Sequence, residues 1–394
     1  MKSSRKISII GFGFTGLSAA WAFLKQGYEV HIYEKESFIG GLLQTKSCEF
    51  GLIETAANAI LRSSNVDLMA GDFGIEWANI KKTSKIKWVY TDKPKRWPLS
   101  FNQSIKFVLP MYKLARGTNS AYPKKYETLK DWGLRVFKGP EFIDQLLGPA
   151  LQGVYASQPD QLSATLCLDT FFTKHESDPL FLPSVKHQGS IAPKKGMNDF
   201  FIKGLSYLEK HNNFSLHLNS KVNLDSNLDS AVIIDTRPDF ENVNYINVFS
   251  VTLFFNLESR PKFQGFGCLF AKPKDILGVL FNSDIFEDRV NGKVFSETWI
   301  VAPSTTTLIA DTLEDVLKFR QDKFDIKAEP LYSSVTHWPQ GIPKYSVQHE
   351  SFLHNNFKFE TSVNSTKILK VGNYSGHIGL HKILEKNILL SKKY

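Results

Sequence analysis

Hydrophobic and polar positions along the first forty residues follow a strand, helix, strand order. Residues 7–10 are a short β-branched run typical of a buried parallel strand, and residues 30–33 form a second run of this kind. Between them, apolar residues recur at helical spacing from Thr15 to about Gln26, and Gly27 ends the helix. The pattern predicts a βαβ unit at the N terminus.

The rest of the chain mixes helical and strand patterns without an internal repeat. Prolines and charged loops separate the predicted elements. They are a hairpin over 86–99 with its turn at 91–94, a mainly helical region over 102–173, a loop over 186–196, a helix over 197–211, strands over 222–228 and 231–235, a strand-rich block over 248–301, a helix over 311–323, a final strand over 368–371 and a last helix.

A glycine motif of the form G-x-G-x-x-G joins the first strand to the first helix. Gly11 permits the tight turn, Gly13 lets the backbone approach a pyrophosphate, and Gly16 lets helix and strand pack closely. The helix N terminus then offers unpaired N–H groups to phosphates. The predicted dinucleotide-binding residues here are Gly11, Phe12, Gly13, Phe14, Thr15 and Gly16.

Glu34 ends the second strand, where an acidic residue accepts hydrogen bonds from a ribose. Lys35 follows it, and a second glycine pair, Gly40–Gly41, comes before Leu42. This arrangement resembles the second glycine motif of FAD-binding oxidases and disulfide reductases, and residues 41–45 are similar to the amine oxidase superfamily. The resemblance implies FAD as the cofactor, with Glu34, Lys35, Gly40, Gly41 and Leu42 among the residues that bind it.

Three further segments resemble the protoporphyrinogen oxidases of that superfamily. They are residues 146–163, with a Gly-Val-Tyr-Ala core, residues 338–345, and residues 54–58. The resemblance implies that Asn58 lies beside the substrate, where the family can bind a propionate. It also places Val222 at the cofactor, together with Gly372, Asn373, Gly379 and Leu380 of a final strand–glycine–helix unit.

The chain departs from the family pattern at two places. Phe38 stands where the family has an arginine that contacts the phosphates, and Ala56–Ala57 replaces Gly-Pro. Arg62 or a lysine is a candidate substitute for the missing arginine. Arg62 and Arg96 are also candidate carboxylate clamps, with surface ion pairing as the alternative.

Composition narrows the possible partners and the location of the protein. The 394 residues carry a net charge of +9 but no nucleic-acid module, and the three cysteines have no metal or redox spacing. Because of this cysteine spacing, we expect no bound metal. No stretch is long and apolar enough to span a bilayer, so we expect a cytoplasmic protein. Phe101, Phe107, Val108, Leu109 and Met111, flanked by lysines, form either an interfacial membrane face or a core-facing helix.

Together these patterns predict an α/β (mixed α+β) flavoprotein with three interleaved parts. The FAD domain takes residues 1–62, 187–245 and 345–394, the mixed-sheet substrate domain 63–101 and 246–344, and the helical insert 102–186. The resemblance implies hydride transfer from a small-molecule substrate, a protoporphyrinogen or coproporphyrinogen, to the flavin, with O₂ or another acceptor. The alternatives are oxidation of an amine or isoprenoid, a sugar-nucleotide mutase, or a non-enzymatic relative. No oligomeric state is predicted.

Overall fold

A computed structural model describes residues 5–97, 108, 112, 122–168, 188–223, 228, 230–271, 275–303, 308–356, 360–363 and 366–394. Its strands are β1 (Lys6–Ile10), β2 (Glu29–Tyr33), β3 (Thr45–Cys48), β4 (Gly51–Glu54), β5 (Ile60–Leu61), β6 (Lys87–Tyr90), β7 (Pro94–Trp97), β8 (Ser190–Ile191), β9 (Phe214–His217), β10 (Val232–Asp235), β11 (Tyr245–Asn256), β12 (Gly267–Phe270), β13 (Ile276–Leu280), β14 (Val294–Val301), β15 (Tyr332–Pro343), β16 (Glu360–Val363) and β17 (Thr366–Lys370).

The helices lie mainly between these strands. They are α1 (Phe14–Leu24), α2 (Ser64–Phe73), α3 (Leu129–Phe137), α4 (Gly148–Tyr155), α5 (Ala164–Cys167), α6 (Asp199–Leu208), α7 (Asn282–Ile285), α8 (Ile309–Phe324), α9 (Val347–Asn355) and α10 (Leu380–Lys393), with short 3₁₀ turns at Lys82–Lys85 and Leu257–Ser259 and a π-helical turn at Ile143–Leu147.

The first sheet has six strands in the order β16-β17-β10-β1-β2-β9. Strands β17, β10, β1, β2 and β9 are parallel, and β16 is antiparallel at one edge. Helices α1 and α10 pack against each other beside this sheet. Both ends of the chain therefore build one parallel sheet, and the carboxyl ends of its strands form the crevice in which such folds bind ligands.

The second sheet has seven strands in the order β15-β11-β14-β13-β12-β6-β7. Its core holds aromatic residues from several strands, among them Phe249, Phe270 and Trp299, and α8 packs on it. Helices α3, α4 and α5 form a third core together with Tyr345 and Tyr374. The third core thus connects the helical part of the chain to the residues that precede and follow β16 and β17.

The predicted fold class is confirmed, and the βαβ unit agrees with the sequence prediction to within two residues at each end. Other elements differ from the sequence prediction. Residues 190–191 form β8 inside the predicted loop, Val222 lies outside any strand, and β9 and β15 had not been predicted. Helix α2, assigned to the substrate domain from sequence, packs into the core of the first sheet because Val66, Met69 and Phe73 are buried there.

Candidate functional site

The glycine loop between β1 and α1 has the geometry that its sequence predicts. Gly11 has a φ of +98°, which favours glycine. A Cβ on Gly16 would lie 2.1 Å from the carbonyl oxygen of Gly11, so only glycine allows this approach. A Cβ on Gly13 would meet no atom within 4 Å. No side chain caps the N terminus of α1, and its first N–H groups have no acceptor within the helix.

Glu34 braces this loop from the end of β2. Its Oε2 accepts a hydrogen bond from the backbone N–H of Phe12 at 2.7 Å, and its Oε1 accepts one from Glu36 at 3.0 Å. The carboxylate is buried. Each oxygen retains a second lone pair for a ribose hydroxyl. Glu34 therefore has a structural task in addition to the predicted one.

The second glycine pair lies against the first loop. The N–H of Gly40 donates to the carbonyl oxygen of Phe12 at 3.0 Å, and a Cβ on Gly41 would be 3.4 Å from the Cα of Gly13. Gly41 and Leu42 are exposed. The exposed ring of Phe38 stands at the edge of the same region, and Lys35 pairs with Glu36 at 3.3 Å. The two glycine motifs thus line one open surface.

The last glycine segment follows β17 and runs into α10. Gly379 caps this helix without a side-chain bond, and Leu380 packs at the edge of the first core. The carbonyl oxygen of Asn373 accepts from the Tyr345 hydroxyl, and a Cβ on Gly372 would be 2.6 Å from the Tyr374 ring. The segment is therefore held closely at the carboxyl end of the first sheet.

The segments that resemble protoporphyrinogen oxidases come together at the junction of the two sheets. Trp338 of β15 donates its Nε1–H to the carbonyl oxygen of Thr55 at 2.7 Å. Tyr155 at the end of α4 packs on Tyr345, with ring centroids 5.0 Å apart. Asn58 is half-buried three residues after Thr55, and its side chain forms no hydrogen bond within the described residues. Its amide is therefore available to a ligand.

Glu54 and Arg289 form a buried ion pair that the sequence analysis did not find. The Arg289 Nη1 donates to Glu54 Oε1 at 2.7 Å, and the same carboxylate accepts from Thr45 and from the N–H of Met197. Burial raises the pKa of Glu54, and Arg289 opposes that rise. The pair joins β4 to the chain before β14, 235 positions away, so no local signal in the sequence predicts it.

A second missed group follows β10. The Arg237 guanidinium donates to both carboxylate oxygens of Asp235 and to the carbonyl oxygen of Val222. Thr236 donates its hydroxyl to the carbonyl oxygen of Ile10. The sequence signal for this group is an acidic residue at the end of a β-branched strand with an arginine two positions later, since strand ends bind ligands.

Neither of the two arginines considered as anion-binding residues forms a hydrogen bond or ion pair with a predicted cofactor-binding residue within the described part of the chain. Arg96 is exposed on β7, six strands from the Trp338 strand β15, or roughly 29 Å at the usual strand spacing. Arg62 pairs with Asp67 at 3.0 Å. Of the predicted membrane face, Val108 is described and exposed, while residues 101, 107, 109 and 111 lie outside the described residues. No helix among the described residues is long and apolar enough to span a membrane.

Comparisons with known proteins agree with this geometry. Residues 9–70 match the model of the NAD(P)-binding Rossmann-like domain. The coproporphyrinogen III oxidase of Staphylococcus aureus is 22% identical over 88% of this chain and 90% of its own length. The mitochondrial protoporphyrinogen oxidase of Nicotiana tabacum is 22% identical over 97% of this chain and 93% of its own. The predicted resemblance is confirmed.

Solved structures show the same fold. A protein from Exiguobacterium sp. 255-15, provisionally named a protoporphyrinogen oxidase, superposes with a TM-score of 0.73 at 14% identity, covering 99% of this chain and 98% of its own. A UDP-galactopyranose mutase superposes with a TM-score of 0.70 at 14% identity, covering 99% of this chain and 93% of its own. These relatives are FAD-binding flavoproteins, which confirms FAD as the predicted cofactor. The space above Gly13 and the exposed Gly41 fit its diphosphate.

Proposed function

We propose that this protein is an FAD-dependent oxidoreductase whose substrate is a porphyrinogen, either protoporphyrinogen IX or coproporphyrinogen III. The observation that carries the proposal is the hydrogen bond from Trp338 to Thr55. It joins two segments that resemble the porphyrinogen oxidases, and Asn58 follows Thr55 by three residues in one of them. The curated relatives that share this resemblance over most of their length are named for these two substrates.

When bound, FAD would supply the redox chemistry, which is the acceptance of hydride from a substrate carbon. The chain's own residues would position the cofactor and the substrate and shield them from water. The loop 11–16, Gly40, Gly41, Leu42 and Val222 would hold the adenosine and diphosphate part, and Gly372, Asn373, Gly379 and Leu380 would hold the part nearer the flavin. Asn58 would donate a hydrogen bond to a substrate carboxylate. The aromatic contact of Tyr155 with Tyr345 would help to exclude water from the junction.

The test has two stages. The visible spectrum of the purified protein should show oxidised flavin, and denaturation should release FAD. The flavin-loaded protein should then convert one of the two porphyrinogens to its fluorescent porphyrin faster than spontaneous oxidation in buffer. Flavin-loaded protein that accelerates neither reaction, with O₂ or with a quinone acceptor, would refute the substrate and leave the cofactor intact. An amine, isoprenoid or sugar nucleotide would then be tested on the same protein.

A further inference from the structure

The diphosphate of FAD carries negative charge, and the loop predicted to bind it supplies little positive charge. Residues 11–16 contain no basic side chain, and Glu34 adds a negative charge next to them. Lys35 is mostly exposed and is paired with Glu36. The N terminus of α1 contributes only about half an elementary charge. A cationic donor from another part of the chain would therefore strengthen the binding of a diphosphate here.

Arg237 lies directly beside this loop, two residues beyond the end of β10. Strand β10 pairs with β1 so that Asp235 is level with Ile10. The hydroxyl of Thr236 donates to the carbonyl oxygen of Ile10 at 2.8 Å and would be 2.6 Å from a Cβ on Gly11. The residue before Arg237 thus contacts the first glycine of the phosphate loop.

The guanidinium is held in place by three hydrogen bonds. Its Nε and Nη2 donate to the two carboxylate oxygens of Asp235 at 2.8 and 2.9 Å, and its Nη1 donates to the carbonyl oxygen of Val222 at 3.1 Å. Asp235 is buried, but the Arg237 side chain is 39% exposed. A guanidinium has five N–H donors, so two have no acceptor among the described residues. This fixed fork loses little freedom when it binds a phosphate.

Arg237 also lies close to the last glycine segment. Asp235, which holds its guanidinium, is level with Lys370 of β17, and the carbonyl oxygen of Asp235 accepts a hydrogen bond from the N–H of Val371 at 2.9 Å. Gly372 and Asn373 follow Val371 directly in the chain. Three stretches predicted to bind the cofactor, at Gly11, at Val222 and at Gly372, therefore meet around one partly exposed arginine.

We propose that Arg237 binds the diphosphate of FAD and supplies the cationic contact that Phe38 does not provide. The role rests on the proposed cofactor site. The phosphate is favoured over the adenine because the neighbouring Thr236 contacts Gly11 of the glycine loop, and because a guanidinium matches a phosphate bidentately. Asp235 and the carbonyl oxygen of Val222 are then positioning groups that hold the guanidinium in place.

The experiment compares Arg237→Ala with Arg62→Ala, which removes a guanidinium from another half-exposed pair with an aspartate. Apo-protein is titrated with FAD, ADP and adenosine by calorimetry. Loss of two charge-assisted hydrogen bonds should weaken FAD and ADP by about 150-fold or more in Arg237→Ala. Adenosine binding should not change, and Arg62→Ala should bind all three ligands as the parent does.

Arg237→Ala leaves the buried Asp235 without its partner, so a second variant, Asp235→Asn with Arg237→Gln, removes both charges. A folded protein of either kind that binds ADP as tightly as the parent would overturn the proposal. An equal loss for adenosine, or an equal loss in Arg62→Ala, would also overturn it. A parent protein that binds neither FAD nor ADP would instead refute the cofactor site and this role with it.

Discussion

Substitution of Gly13 by valine separates cofactor binding from folding more cleanly than any other change in the loop. A Cβ at this position would meet no atom within 4 Å, and the backbone has a φ of −78° and a ψ of −171°, which valine adopts readily. The Cβ of the added side chain therefore causes no clash in the protein itself. Because it also restricts the unfolded chain, the free energy of unfolding should stay constant or rise by up to about 1 kcal/mol.

The same open space is where the diphosphate would lie. A side chain there moves the phosphates away from the N–H groups at the start of α1, which have no acceptor within the helix. Each charge-assisted hydrogen bond lost costs about 1.5–3 kcal/mol, so two lost bonds weaken FAD by about 150-fold or more. At the concentrations used in purification, Gly13→Val should therefore be isolated without flavin.

The assay follows the quenching of flavin fluorescence as FAD is added to apo-protein, with thermal unfolding measured in parallel. Gly71→Val is the matched control, because a Cβ on Gly71 in α2 also meets no atom within 4 Å but lies away from the loop. Gly16→Val should instead fail to fold, since its Cβ would lie 2.1 Å from a carbonyl oxygen. Stoichiometric FAD in a folded Gly13→Val protein would refute the placement of the diphosphate.

Four other outcomes are expected. Glu34→Ala should weaken FAD by about tenfold to 150-fold, and an unchanged affinity in an FAD titration would mean that another acid binds the ribose. Burial raises the pKa of Glu385 to about 7, so the folded state binds more protons than the unfolded state between about 4.5 and 7. Stability should fall as pH rises through that window. Glu385→Gln should remove this pH dependence. Urea unfolding should show a free energy of unfolding that is higher than the parent's by up to about 3 kcal/mol at pH 7.5 and equal to it at pH 4; a pH profile like the parent's would contradict it. Asn58→Ala should weaken porphyrinogen affinity by about threefold to tenfold, as expected for one neutral hydrogen bond; an unchanged KM and kcat would place Asn58 outside the substrate site. Binding to anionic-lipid vesicles, weakened by salt, is expected if the insert has a membrane face, and protein that stays in the supernatant at low ionic strength would contradict it.

The sequence by itself determined the cofactor end of the protein. The βαβ unit forms within about 35 residues, and its glycines act through backbone geometry that depends on the residue type and on close neighbours. Gly11, Gly16 and Gly27 therefore stand where the pattern predicted them, with Gly27 at a φ of +82° after α1. The ribose and diphosphate contacts remain predictions that rest on the same local pattern.

Only the tertiary structure decided what surrounds that unit. Strand β9 lies beside β2 although about 180 positions separate them, and α2 joins the first core instead of the second. A short amphipathic segment such as α2 can bury its apolar face against either sheet, and its periodicity is the same in both cases. Domain boundaries therefore depended on packing that no local pattern records.

The candidate site also combines local features that the sequence predicts with contacts that only the folded chain creates. The hydrogen bond of Trp338 to Thr55 joins residues 283 positions apart, and the pair of Arg289 with Glu54 joins residues 235 apart. Arg237 lies near the first glycine loop only because β10 pairs with β1. Local conformation follows from residue type and spacing, but the partners of a polar side chain are set by which distant strands share a sheet, and that is a property of the folded chain.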